Sequence, residues 1–332
     1  MIEKSHPGPF ETVLFSEDLP LAAPIPAAWP DLGGFVVPTA GDPAATGWPR
    51  WFDWIYGPHL NRPPAQPIDF ARYGPRTLGE QVWAVWPETL AVFAGMTIKG
   101  ALTWDWGSSP FHFSSEGWFG KDAHSFGMDK LGHAFTSYVI AELATDRIAY
   151  HAPDPNGAQL TAAVIAGAVM FYVEIGDAMS GTHGFSHEDL IADFAGIGFS
   201  VLRSTIPGLR ETLDFRLEYL PSGNKEGFHP ITDYSGQKYI LALKLAGFES
   251  FRDSPLRFVE LHGGYFARGF TDKEQERGDP VRREPYVGIG LNLSELLFGW
   301  PSIEHRLYAR GARRYLEYFQ VPYTYVGTSN DW

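Results

Sequence analysis

The chain has 332 residues, of which 44% are hydrophobic and 15% aromatic, with a formal net charge of -13. That length allows one large domain or two ordinary ones, and the apolar share supports a real core. The acidic balance, with no Lys/Arg block, argues against a general nucleic-acid binder. The absence of cysteine excludes disulfides, thiolate metal ligands, a catalytic Cys and a lipid-modified Cys among these residues.

Residues 1–77 are rich in Pro, Gly and Ala. Pro20, Pro24, Pro26, Pro30 and Pro38 break any regular element. Trp29, Trp48, Trp51, Trp54 and Tyr56 make the segment more aromatic than a disordered linker. The composition predicts an irregular extension lying on the main body, with a partner-binding arm as the alternative. Met1 to Pro30 lacks the basic-then-apolar pattern of a secretory leader.

A helical pattern begins near Leu78. Val82 to Trp106 is an apolar run interrupted by Pro87, Glu88 and Lys99. After a loop from Trp106 to Met128, Asp129 opens a second helix that runs to about Tyr150. A third spans Ala158 to Met179 and is broken by Gly181-Thr182-His183-Gly184. Ser186 as N-cap, with Asp189 at the third helical position, starts a fourth that ends near Ile206-Pro207-Gly208. No stretch of about 18 uninterrupted apolar residues occurs. Small residues (Ala162, Ala163, Ala166, Gly167 and Ala168; Ala192, Ala195, Gly196 and Gly198) permit close backbone approach, as in membrane bundles. Soluble bundles use them in the same way. The balance favours membrane association.

Beyond Leu209 the apolar period shifts from 3.6 to 2. The runs Leu213–Tyr219, Tyr239–Leu245, Val259–Arg268 and Val287–Leu293 each alternate, and Tyr315–Val326 offers a last strand interrupted by Pro322. The expected fold class is therefore α+β. A bundle of about four apolar helices (78–210) precedes an antiparallel β-meander (211–332), behind the irregular extension. So few strands do not make a transmembrane barrel alone, which needs at least about eight.

The helices carry ionisable pairs at same-face spacing: Asp129 with His133, Glu174 with Asp177, and Asp189 with Asp193. In an antiparallel bundle the end of the third helix lies near the start of the fourth. Mixed carboxylate and imidazole suits one divalent cation (Zn, Mn or Mg), so Asp129, His133, Glu174, Asp189 and Asp193 are the candidate ligands. Glu174 or Asp177 would be the general base of a metal-dependent hydrolase. Lys130 and His124 add positive charge for a phosphate. Each residue alone also has a structural account: Asp129 and Asp189 as helix-start acids, Glu174 and Asp177 as solvent-facing helix-end residues. His183 and His187 are either further ligands or surface loop residues. His262-Gly263-Gly264-Tyr265 reads as a packed strand rather than a phosphate loop, because no helix follows it.

Taken together, Gly117-Trp118-Phe119-Gly120, Asp129-Lys130-Leu131-Gly132-His133-Ala134-Phe135, Glu174-Ile175-Gly176-Asp177 and Ser186-His187-Glu188-Asp189-Leu190 resemble the YfiM-like predicted periplasmic lipoproteins, a family of unknown function. Asp233–Tyr239 and Gly288–Glu295 look like its longer members, so the resemblance covers about Trp104 to Val326. A weaker similarity links Asp129, Lys130, His133, Glu174 and Asp189 to VanZ-like membrane proteins. The resemblance implies a cell-envelope setting, periplasmic or outer-membrane associated. Membrane lipid, or an envelope protein, would be the partner. It supplies no reaction. The rival to a hydrolase is a non-catalytic envelope protein whose acids form a buried hydrogen-bond network.

Overall fold

The computed structural model describes residues 62–121, 123, 125–224, 227–304 and 306–329, together with Gly57. Most of the expected N-terminal extension, and His124, lie outside the described residues. The apolar run after Leu78 forms two helices, not one. Helix α1 (Pro75–Ala84) has Pro75 in its first turn, and α2 (Trp86–Thr103) has Pro87 in its own. Proline lacks an N–H and clashes with a preceding turn, so the chain restarts at Val85. Helix α3 (Met128–His151) follows the loop, then α4 (Ala158–Asp177) and α5 (His187–Thr205). Ser186 caps α5 as expected: its Oγ accepts the Asp189 N–H at 3.2 Å.

Among the helices, α3 and α5 make the most extensive contact. Gly196 permits it, since a Cβ there would overlap the Ala134 carbonyl oxygen and Ser137 Oγ. Ser137 Oγ donates across the same crossing to the Asp193 carbonyl at 2.9 Å. Ala141, Ala166 and Ile197 fill the space between α3, α4 and α5.

The meander has five antiparallel strands in chain order: β1 (Leu213–Tyr219), β2 (Gln237–Lys244), β3 (Val259–Arg268), β4 (Arg282–Leu291) and β5 (Tyr325–Ser329). The expected last strand from Tyr315 is displaced. Tyr315 lies in helix α6 (Leu307–Leu316), and pairing starts only at Tyr325, beyond Pro322, which cannot donate to a ladder. Leu293 likewise ends up in a short helix, 293–298, capped by the Asn292 side chain.

Leu217, Tyr239 and Ala267 pack on Met128, Phe135 and Tyr138 of α3 to form the main core. The same sheet face continues beyond the helix as Leu241, Leu261, Val287, Ile289, Leu291 and Val326, all exposed. The opposite face buries charge. Arg216 pairs with Asp214 at 2.6 Å and with Glu260 at 2.9 Å, and His262, Glu284 and Tyr286 are buried beside them. Segment 318–329 touches both sheet edges. Leu217 of β1 donates to Tyr318 O and accepts from Gln320 N, while β5 pairs with β4. The sheet thus curls toward a ring with a polar interior and an apolar outside.

A second buried charge network sits at the far end of α3. Arg203 is fully buried, 3.2 Å from Glu142 and 2.9 Å from Asp214, and Arg62 reaches Glu142, Asp146 and Glu317. Burial opposes ionisation of Glu142, yet Arg62 and Arg203 outweigh it and hold the carboxyl below its usual 4.5. Arg216 does the same for Glu260 against the same penalty.

Two outcomes follow from this packing. Gly196→Ala should lose at least about 1–3 kcal/mol in urea unfolding. Gly198→Ala, with open space around its Cβ position, should be neutral or mildly stabilising. In the unfolded chain Glu142 takes its proton near pH 4.5, while the native carboxyl resists it. Stability is therefore full above that pH and falls as pH drops below it. The urea midpoint of Glu142→Gln should start lower and decline less steeply with acid.

Candidate metal centre

Three helix termini meet at one end of the bundle. The first turns of α3 bring Asp129, Lys130 and His133, the last turn of α4 brings Glu174 and Asp177, and the first turns of α5 bring Asp189 and Asp193. The tight 178–186 connection sets the end of α4 beside the start of α5. Loop 104–127 closes over them: Gly107 and Ser109 donate to Met179 O, and Ser114 donates to Phe185 O. Phe119 fixes the loop to the sheet, stacking edge-on against Tyr265 and accepting from Arg283 at 2.9 Å. It occupies the space a Cβ on Gly127 would need, and Gly127 has a φ of 81°.

The side chains form two adjoining groups. In the first, Lys130 Nζ lies 2.7 Å from Glu116, from Asp129 and from Asp189. The ammonium donates to Glu116 and Asp129 and faces Asp189 Oδ1 as an ion pair, so Lys130 is committed to carboxylates and not free for a phosphate. Burial and the neighbouring Asp189 charge push the Glu116 carboxyl up to about 7. Asp129 stays below its usual range, because Lys130 overcomes the burial that would raise it.

In the second group, His133 Nδ1 is 3.3 Å from Asp193 Oδ1 and 3.8 Å from Glu174 Oε1, and its Nε2 is 3.9 Å from Asp189 Oδ1. One donor atom from each of His133, Glu174 and Asp193 falls within a 4.8 Å set. Ligands about 2.1 Å from a tetrahedral cation stand roughly 3.4 Å apart, close to this spacing. Glu174 Oε2 accepts the Ser186 N–H at 3.1 Å. Among the described residues, Glu174 Oε1 and Asp193 Oδ2 have no hydrogen-bond partner although each residue is only 1% exposed, and the buried Asp189 Oδ1 likewise has none. Buried carboxylate oxygens are seldom left so. Burial pushes Glu174 up to about 8. Despite burial, which works the other way, Asp193, Asp189 and Glu174 raise His133 to about 10. Burial thus favours the protonated carboxyl at Glu174, and the surrounding carboxylates favour the protonated imidazole at His133.

Asp177 stands one turn beyond Glu174, outside both groups, and accepts the Trp106 indole N–H at 2.7 Å. Trp106 lies where a Cβ on Gly100 or Gly176 would be, so the two glycines seat it. Burial raises the Asp177 carboxyl above its usual value. His183 and His187 are exposed on the connection. Glu188 is buried but satisfied by Ser115 Oγ at 2.6 Å and Ser186 Oγ at 3.2 Å. Sequence reasoning missed Glu116 and Trp106. Glu116 sits just before the Gly117-Trp118-Phe119-Gly120 motif, which was the available signal.

Residues 115–205 match a family described as "Predicted periplasmic lipoprotein (DUF2279)". The match contains all four motifs of the helical region and both groups of acids, but not the sheet. The family's description agrees with an envelope location. No curated protein and no solved structure matches the chain.

Removing the ammonium while keeping its stem leaves three carboxylates facing one another. Lys130→Met should cost roughly 3–5 kcal/mol in urea unfolding. Lys121→Met, on the exposed loop, should cost nothing measurable.

Proposed function

We propose that this is an envelope protein that binds one divalent cation (Zn, Mn or Mg) on His133, Glu174 and Asp193, with Asp189 alongside, and hydrolyses a phosphate- or lipid-bearing envelope molecule. The observation that carries this reading is the pair of buried oxygens left unpartnered among the described residues, Glu174 Oε1 and Asp193 Oδ2, on two carboxylates that both lie against the His133 ring, Glu174 through Oε1 and Asp193 through Oδ1. Their donor set suits Zn, Mn or Mg. One divalent cation replaces the protons that burial and the surrounding carboxylates otherwise favour there. Bound there, it supplies Lewis-acid polarisation of a phosphoryl or acyl oxygen and a more acidic water. Asp177 is the general base: it is partly exposed, burial raises its carboxyl above the usual value, and Trp106 donates to it. Asp129 serves the Lys130 group, which fixes loop 104–127 over the site.

The substrate comes from a membrane surface on this reading. Helix α2 is mostly apolar, broken by Glu88 and Lys99, yet buries only Gly100. Phe111, Phe113 and Phe185 cluster with ring centroids 5.4–6.2 Å apart beside the 178–186 connection, and the first two are exposed. Apolar surface of that extent on helices and loops fits lipid contact.

A second reading has its own support. Glu174 ties α4 to the Ser186 N–H, and Ser137 ties α3 to the Asp193 carbonyl, as a purely structural network would.

Elemental analysis of protein purified without chelator separates the two. The proposal expects stoichiometric metal in the wild type, lost in folded His133→Ala and Asp193→Asn. With Mn²⁺ or Zn²⁺ added, the wild type should hydrolyse bis(4-nitrophenyl) phosphate. Asp177→Asn should retain metal and lose turnover by about 10²-fold or more. Absence of metal from the wild type, with both ligand variants unfolded, would establish the structural network instead.

A further inference from the structure

A second polar cavity, of about 550 Å³, opens at the opposite end of the α3–α5 pair from the acidic groups. Its character is the reverse of theirs. Arg62, Arg210, Lys244, Arg252, Arg257 and Arg313 line it, against four glutamates. Those glutamates are largely spoken for or peripheral. Glu295 is shared by two guanidiniums, Arg257 at 3.2 Å and Arg313 at 2.8 Å. Glu317 is held by Arg62 at 3.0 Å and Arg314 at 2.7 Å. Glu211 and Glu304 are exposed.

Arg210 decides the matter. It is 8% exposed, and its contacts are neutral: the Pro63 carbonyl at 3.2 Å and Ser204 Oγ at 2.6 Å. Its Nε has no hydrogen-bond partner, and no carboxylate among the described residues lies within ion-pair distance. Burial and the neighbouring Arg62 charge press against its ionised form and outweigh the more distant attraction of Glu142 and Asp146. A buried guanidinium with no carboxylate in direct contact among the described residues is costly to maintain, and an anion in the cavity would relieve it. Arg252, exposed on the same wall, also makes no ion pair among the described residues. Asn292 and Ser294 add neutral hydrogen-bonding groups.

We infer that this cavity is a binding site for a phosphate group, carried by a small molecule or by a phospholipid headgroup. Several guanidinium forks around one space match the geometry of phosphate oxygens better than a single carboxylate would. The volume suits a headgroup-sized ligand. The site is independent of the proposed metal centre. His133 and Glu142 are separated by nine residues of α3, or about 13 Å at 1.5 Å per residue.

The test uses the full chain treated with EDTA, so that metal-bound phosphate at the acidic end does not contribute. Calorimetric titrations with pyrophosphate and glycerol 3-phosphate, and flotation with phosphatidylglycerol vesicles, provide the arms. Saturable binding that weakens with salt is expected, reduced at least tenfold in Arg210→Met and in Arg252→Ala, and unchanged in Lys273→Ala, an exposed residue outside the cavity. Binding of the soluble phosphates identifies a free ligand. Binding of vesicles alone identifies a headgroup. Arg252 is exposed and makes no ion pair among the described residues, so its variant decides the question even where Arg210→Met fails to fold. Absence of saturable binding in every arm, or binding unaltered by Arg252→Ala, overturns the inference.

Discussion

Helices α3 and α5 approach so closely at Gly196 that no side chain fits between them, and the two buried charge groups of this helix pair lie on either side of that crossing. On one side of it, Asp129, Lys130 and His133 of α3 face Asp189 and Asp193 of α5. On the other, Glu142 and Asp146 of α3 lie by Ser200 and Arg203 of α5 and by Arg62. The two ends solve the problem of buried charge differently. The far end supplies guanidiniums for its carboxylates and has Arg210 left over. The near end supplies one ammonium and one imidazole for a larger set of acids and has oxygens left over. A surplus of one sign in a low-dielectric setting is resolved by a bound counter-ion or by moved protons. Both proposals made for this protein rest on that rule, with opposite sign.

The sheet repeats the theme. Its apolar residues divide between packing on α3 and facing outward, and its charged residues turn into the curl closed by segment 318–329. The exposed apolar faces of α2 and of loop 104–127 add to this outward apolar surface.

Much of this was legible in the sequence, for identifiable reasons. The helices from Asp129, Ala158 and Ser186 carried long 3.6-residue patterns with clear stops, and Ser186 with Asp189 marked a start that the structure keeps. Same-face pairs such as Asp129 with His133 were readable because helix geometry is local. Their convergence depended on which helices became neighbours, and the short 178–186 connection made that readable for α4 and α5. Other features were not local. The partners of Arg62, Glu142 at 80 and Glu317 at 255 residues' separation, have no signature in spacing. Tyr315 alternates well enough to pass for strand, but Arg313 and Arg314 on α6 gain ion pairs with Glu295 and Asp146 in helical form. Tertiary contacts outweighed the local pattern there.

The central claim is that the His133, Glu174 and Asp193 group is built around a cation rather than around shared protons. Anomalous diffraction from crystals grown without chelator, recorded across the zinc and manganese edges, tests it most directly. The account predicts a single peak between the His133 ring, Glu174 Oε1 and Asp193 Oδ2, with donor distances near 2.0–2.2 Å. A map with no peak, in which the two carboxyl groups hydrogen-bond to each other or to the imidazole, would contradict it.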